Sequence, residues 1–269
     1  MSVVDSEIPK ILAAPATATQ RKKTQFSYRW LSLPSLMLVW IVLAWNLPSY
    51  ILPQPWQVVE EGYEWAVKGQ LHPHLIDSFV REIVGFGAAV IVALTLGFLA
   101  GFFRPFREYL TPLNTLFMSI PPIAWAPLML ILFGIGWQSI VVVIFISAVN
   151  PMVVTIQEGV LQIQGNEVRA ARILGARPWQ LFLHIYLPAS LPYITAGLRI
   201  GFSQAWRALV AAEMIGASSG IGWMVSMGGE VGNTAQVMMG IVLIGLFSWV
   251  FERFGFRRLE KKYEVWSHH

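Results

Sequence analysis

Six apolar runs, at about 31–52, 83–103, 109–133, 139–156, 191–215 and 235–251, set the limits on what this chain can become. A helix rises ~1.5 Å per residue, so about twenty residues cross the ~30 Å hydrocarbon layer. Lipid offers backbone groups no partners, and each run is therefore predicted to be an α-helix. The fold class expected is an all-α membrane protein of about six transmembrane helices. With 55% hydrophobic residues, 13% charged residues and mean hydropathy +0.57, 269 residues hold more apolar surface than a soluble domain could hide. Zero cysteine excludes disulfides, thiolate chemistry and Cys-ligated metals. The surroundings implied are a lipid membrane, with no nucleic-acid partner.

Residues 1–27 are polar and carry Arg21, Lys22 and Lys23, which predicts a disordered cytosolic tail ahead of a transmembrane domain over 28–269. No small-residue cleavage site follows the first run, against a removed signal. Trp30 and Trp45 are placed as interfacial anchors of the first span. Leu52-Pro53-Gln54-Pro55 ends that span. Trp56, Val59, Tyr63 and Val67 then recur at helical spacing opposite Glu60, Glu61 and Glu64, which predicts a short amphipathic helix on the outer surface, closed by Gly69. Residues His74 to Glu82 read as a polar turn before the second span. His72 and His74 flank Pro73 in a loop without a third metal ligand.

Pro121, Pro122 and Pro127 interrupt the third run beside Trp125. Proline removes backbone donors, and inside a bilayer this is tolerated where protein or a wet cavity satisfies the freed carbonyls. The break either lines a translocation path or is a packing kink; the first reading is preferred. Gly134-Ile135-Gly136 predicts a tight external turn, and the fourth span returns to deliver Glu158 into a loop over 158–190.

In the fifth run Arg199, Ser203, Trp206, Val210 and Glu213 fall on one stripe, with Arg207 beside it. Ionisable groups at this depth face a bundle interior or a wet path. Trp125, Arg199, Ser203, Trp206, Arg207 and Glu213 are the candidate path residues. Two alternatives stand: Arg199 as a snorkelling residue at the inner interface, and Glu213 as the structural partner of another helix. The glycine-rich stretch 217–234 predicts a re-entrant turn or short helix at the outer mouth. It is no phosphate cradle, since the chain has no Gly-Lys dipeptide and hence no Walker A signature.

The polar stretch EVRAARILGARPWQLFLHIYLP, Glu167 to Pro188, is too regular for a slack connector. It predicts a helix from about Asn166 to Leu174, a break with αL backbone at Gly175, and a second segment from Pro178 to Tyr186 with proline in its tolerated first turn. A surface helix with Arg169, Arg172 and Arg177 near lipid phosphates is the other reading, but it requires neither that glycine nor the Ile185-x-Leu187-Pro188 ending. The pattern A-A-x-x-x-G-x9-I-x-L-P, from Ala170 and Ala171 through Gly175, resembles the EAA loop by which permeases of ABC importers dock on their ATPase. Arg169 stands where that loop usually has Glu, with Glu167 as the neighbouring acid. The resemblance implies a short cytosolic coupling helix and a coupling role for Glu167, Arg169, Ala170, Ala171, Gly175, Ala176 and Pro178.

Lys and Arg concentrate on one side: Lys10, Arg21 to Lys23, Arg29, Arg104, Arg107, the loop arginines and five residues from Arg253 to Lys262, against Lys68 and Arg81 opposite. Both termini and the loop are thereby expected in the cytosol. LPQPWQVV, SFVREIVGF, SIPPIAWAPLMLILFGIG and GLRIGFSQAWRALVAAEMIGASSGIGWMV together are similar to the nitrate/sulfonate/taurine/bicarbonate branch of ABC importer permeases, over about 31–259. That resemblance implies a type I importer fold in a bacterial inner membrane. The implied assembly has a second permease copy, two cytosolic ATP-binding subunits and an extracytoplasmic solute-binding protein. ATP and Mg would be held by the partner ATPase and no cofactor by this chain, a transport permease and not an enzyme. Arg207, if it faces the path, favours a small anion; Glu213 argues the other way. A gradient-driven secondary transporter, or an importer of the same branch for a nitrogenous or aromatic compound, are the alternatives. An intramembrane enzyme is disfavoured, since none of the five His residues falls in a predicted span.

Overall fold

The computed structural model describes residues 31–163 and 165–256; for Asn166, Glu167 and Phe256 it describes the backbone alone. The tail predicted at 1–27 and the basic residues Arg257, Arg258, Lys261 and Lys262 lie outside the described residues. The chain divides into two units between Val39 and Trp40, inside the first helix. The described part of the first unit is the opening of that helix, and every later element belongs to the second.

The helices are α1 (Ser32–Asn46), α2 (Pro55–Val67), α3 (Leu71–Phe102), α4 (Arg104–Ser119), α5 (Pro122–Phe133), α6 (Trp137–Gln162), α7 (Asn166–Ile173), α8 (Pro178–Leu181), α9 (Leu187–Gly216), α10 (Ile221–Glu230) and α11 (Thr234–Val250). Among the described residues four stretches are long and apolar enough to cross a membrane: Leu71–Phe102, Trp137–Gln162, Pro178–Gly216 and Thr234–Gly255. The pair α4 and α5, bent by 94°, is a fifth if it crosses as one broken span. The first apolar run is described as a 15-residue helix, only ~22 Å long at ~1.5 Å per residue.

The core is built on α6, which lies between α3 and α9. On α3, Gly85, Ala89, Ala93, Gly97 and Gly101 recur every fourth residue and are buried. They meet large residues of α6: a Cβ added to Gly97 would lie 2.8 Å from the Cβ of Ile156, and one on Gly101 2.6 Å from that of Val160. The relation repeats on α9, where a Cβ on Gly201 would lie 2.5 Å from Met152, and it reverses at Gly159, 2.4 Å from the Cβ of Tyr193. Lipid supplies no hydrophobic drive between helices, so close backbone approach and van der Waals contact bring them together. Ile140, Ile144, Met152 and Ile156 are sealed in this sandwich.

The second span differs from its expected start at 83. Residues His74 to Glu82, read as a polar turn, are the opening turns of α3, and His72 and His74 lie on that helix rather than in a loop. The reason is that Ser78, Arg81 and Glu82 share a buried face, while Leu75 and Phe79 pack on the core. Ser78 and Arg81 are met by Glu213 of α9 and by the chain at Ser219 and Ile221, while Glu82 is buried beside them. Pro73 falls in the first turn, where its missing N–H has no helical partner to lose.

The proline break is sharper than a kink. Ile120 is extended, as a residue before proline must be, and Pro122 opens α5. Gly134 and Gly136, both at positive φ, then turn the chain into α6. Helix α8 runs through a wider turn at Phe182–Tyr186 into α9 without interruption, so the fifth span is longer than 191–215. That turn precedes Pro188, which cannot donate to the carbonyl four residues back. Helix α2 packs through buried Val58 against Met224 and Met239, leaving Trp56, Val59, Tyr63 and Val67 exposed along its other side.

Candidate functional site

Helix α7 ends in a fully formed glycine cap. The Gly175 N–H donates to the Arg172 carbonyl and the Ala176 N–H to that of Ala171, both at 3.0 Å, while Gly175 takes φ +84°. These are the two bonds of a Schellman motif, and its usual apolar contact is present: Ala171 and Ala176 pack on one cluster with Val160, Val168, Leu181 and Tyr186. Pro178 opens α8, whose Gln180 side chain accepts from the Arg177 N–H at 2.8 Å. The elbow is thus rigid and seated on α3 and α6 through Phe98, Phe102 and Val160. Its outward side carries Arg169, Ala170, Arg172 and Arg177, with Ile173 and Leu174 about 85% exposed and Trp179 58% exposed. Glu167 lies in α7, and its side chain is outside the described residues.

The predicted stripe on α9 separates into two faces. Trp206 is buried among Phe79, Phe202, Phe247 and Phe251 and donates from Nε1 to the Ile244 carbonyl at 3.3 Å. Arg207, about 100° further round the helix, is exposed, donating to Ser203 Oγ at 2.8 Å and Gln204 Oε1 at 3.4 Å. One residue step therefore separates a core tryptophan from an open arginine, and Trp206 packs in the core rather than lining the groove. Arg199, Ser203, Gln204 and Arg207 line a groove of about 470 Å³ together with Ser248 and Glu252 from the α11 end. Arg199 Nη2 donates to Glu252 Oε1 at 2.7 Å. Gln204 also lines a small cavity of about 60 Å³ beside the α4–α5 bend, where Trp125 stacks on Phe117 at 5.6 Å. Four of the six predicted path residues, Trp125, Arg199, Ser203 and Arg207, are brought to these connected surfaces.

Glu213 is not among them. It is 1% exposed and accepts from Arg81 Nη1 at 2.8 Å, from Ser78 Oγ at 2.8 Å and from the Gly222 N–H at 2.9 Å. It thus joins α9 to α3 and to the start of α10, and it does not line the groove. The arrangement caps α10 from outside. Its preceding residue Gly220 has no side chain to cap with, so the carboxylate of Glu213 and the hydroxyl of Ser78 accept from the first N–H groups of α10, at Gly222 and Ile221. Arg81 also binds Ser219, and His74 Nδ1 accepts from the Gly220 N–H while stacking on Trp223. Gly220 is fixed by φ +116° and by space, since an added Cβ would lie 2.3 Å from the Glu213 carboxylate. His74, Ser78 and Arg81 were not read as a functional face; their spacing of four and three residues was the available signal. Beside this clamp, Glu82 is 2% exposed, and among the described residues neither carboxylate oxygen has a hydrogen-bond partner.

Known proteins agree with this architecture. The family described as binding-protein-dependent transport system inner membrane component matches residues 89–256. The taurine transport system permease protein TauC of Escherichia coli is 35% identical over 242 residues, covering 87% of this chain and 88% of that protein. The nitrate import permease protein NrtB of Synechocystis is 31% identical over 87% of this chain and 91% of its own length. Among solved structures, an inward-facing conformation of the MetNI methionine ABC transporter aligns with TM-score 0.63 and 20% identity, over 71% of this chain and 95% of that one, a likeness of fold. A membrane-spanning core, a glycine-capped elbow and relatives of this kind have one common description: the chain belongs to the inner-membrane permeases of binding-protein-dependent ABC importers, in the nitrate, sulfonate and taurine branch.

Proposed function

We propose that this permease forms, with a second identical copy, the path for a small anion such as nitrate, bicarbonate or an alkanesulfonate, or for taurine, whose sulfonate is the anionic end of a zwitterion. The observation that carries this is the α9 groove. Two guanidiniums, an amide and a hydroxyl open on one face of a membrane-length helix, beside Ser248 and Glu252 from the α11 end, where they cannot face lipid at acceptable cost. A second copy laid over the groove would cover it and enclose a wet passage. Arg207, whose described partners are both neutral, is available to an anion.

The elbow supports docking of a cytosolic ATPase: its exposed Ile173, Leu174 and Trp179 ringed by arginines suit an apolar cleft with an acidic rim. In this reading two such subunits hold ATP and Mg, a solute-binding protein delivers cargo at the outer mouth beside α10, and both chain termini are cytosolic, an orientation the Lys/Arg asymmetry supports. Nucleotide-driven closure draws two elbows together and rocks the helices between outward- and inward-open states.

The test is the purified complex with its binding protein in proteoliposomes, supplied with nitrate or taurine. A unit charge at about 5 Å in an effective dielectric of about 30 is worth about 2 kcal/mol, so Arg207→Ala lowers substrate-stimulated ATPase activity at least about tenfold with basal activity retained. Equal loss of both activities makes Arg207 structural.

A further inference from the structure

We propose that Glu252 is a charge filter in the α9 groove. Its carboxylate, held on Arg199, leaves the described lining of the groove with one more guanidinium than carboxylate, so that singly charged anions are accepted and doubly charged ones refused. This rests on the reading of that groove as the path.

Among the described residues lining the groove, Arg199 and Arg207 are the cations and Glu252 is the acid. The two arginines are eight residues apart on α9, about 12 Å along the axis, so an anion at Arg207 passes Arg199 next. Arg199 is already bound by Glu252 at 2.7 Å, a contact that ties α9 to the wider turn after α11. Both side chains are about half exposed, so the pair is loose enough to part. A permeation site must bind well enough to admit an ion and weakly enough to release it. A carboxylate that competes for the second guanidinium weakens retention there. It also repels the second charge of a dianion, which the one guanidinium in excess cannot offset.

The chain contains no cysteine, so one introduced thiol reports on the groove. Ile200 lines it, is exposed, and has a side chain with no hydrogen-bonding group. In the full chain in lipid nanodiscs, Ile200→Cys is reacted with anionic sulfonatoethyl methanethiosulfonate and cationic trimethylammonioethyl methanethiosulfonate, with nitrate or sulfate as protectant. Nitrate is expected to slow modification and sulfate to leave it unchanged. Adding Glu252→Gln removes one negative charge, raises the anionic-to-cationic rate ratio about tenfold and makes sulfate protective. Glu252→Asp keeps the original pattern. If Glu252→Gln changes neither the ratio nor the sulfate result while Arg207→Gln lowers the ratio, the filter is refuted and the anion path stands. If Arg207→Gln also leaves the ratio unchanged, the path reading falls with it.

Discussion

Replacing Glu213 by glutamine preserves shape and removes one charge from a site closed to water. The Arg81 and Glu213 side chains are 7% and 0% exposed, and they meet at 2.8 Å. Glutamine can still accept from Arg81 through its oxygen, but its amide nitrogen would then face the Gly222 N–H, donor against donor. The guanidinium remains buried and uncompensated, a loss of about 3–5 kcal/mol. Set against a total stability of about 5–15 kcal/mol and about 2–4 °C per kcal/mol for a domain of this size, the midpoint should fall by on the order of 10 °C. The assay is thermal unfolding of the detergent-purified chain, followed by tryptophan fluorescence and by monodispersity. The pair Arg81→Met with Glu213→Leu should recover most of the loss, because an apolar pair of similar volume leaves no buried charge. If Glu213→Gln melts with the parent chain, or the double variant is as unstable as the single one, the clamp is not what holds α10 on α3 and α9.

Glu82→Gln, by contrast, should hold or raise the midpoint, since it replaces a buried carboxylate lacking a described hydrogen-bond partner by a neutral group; a fall like that of Glu213→Gln would reveal a missing partner. Gly175→Pro forces φ to about −65° where the chain needs +84° and deletes the N–H that bonds Arg172. Uptake and ATPase co-purification should be abolished while helical circular dichroism is unchanged, and survival of both activities would remove the elbow from the docking role. Gly97→Ala drives a methyl to 2.8 Å from Ile156, an overpacking cost of about 1–3 kcal/mol that unfolding of the same preparation measures directly.

The long apolar stretches and the Gly175 turn were legible because each rests on one local cause: length against bilayer thickness, and a backbone angle favouring glycine. The start of α3 was not, because Ser78 and Arg81 look solvated until α9 and α10 are seen to receive them. The same limit explains the α9 stripe. A periodicity of seven groups Arg199, Trp206 and Glu213, yet only contacts with Phe79 and Phe247 decide that Trp206 faces inward while Arg207 opens outward. The four-residue recurrence of Gly85, Ala89, Ala93, Gly97 and Gly101 was present in the sequence and went unread, being masked by the hydrophobicity around it.

The passage from Pro178 to Gly216 is unbroken. Its 39 residues make a rod of about 58 Å at 1.5 Å per residue, with the Schellman turn just before one end and the Glu213 carboxylate near the other. Pivoting such a rod by about 10° about one end would sweep the other through about 10 Å. Were the pivot to lie near the elbow, α10, tethered near the far end through Glu213, would be carried through that arc, geared up by length alone.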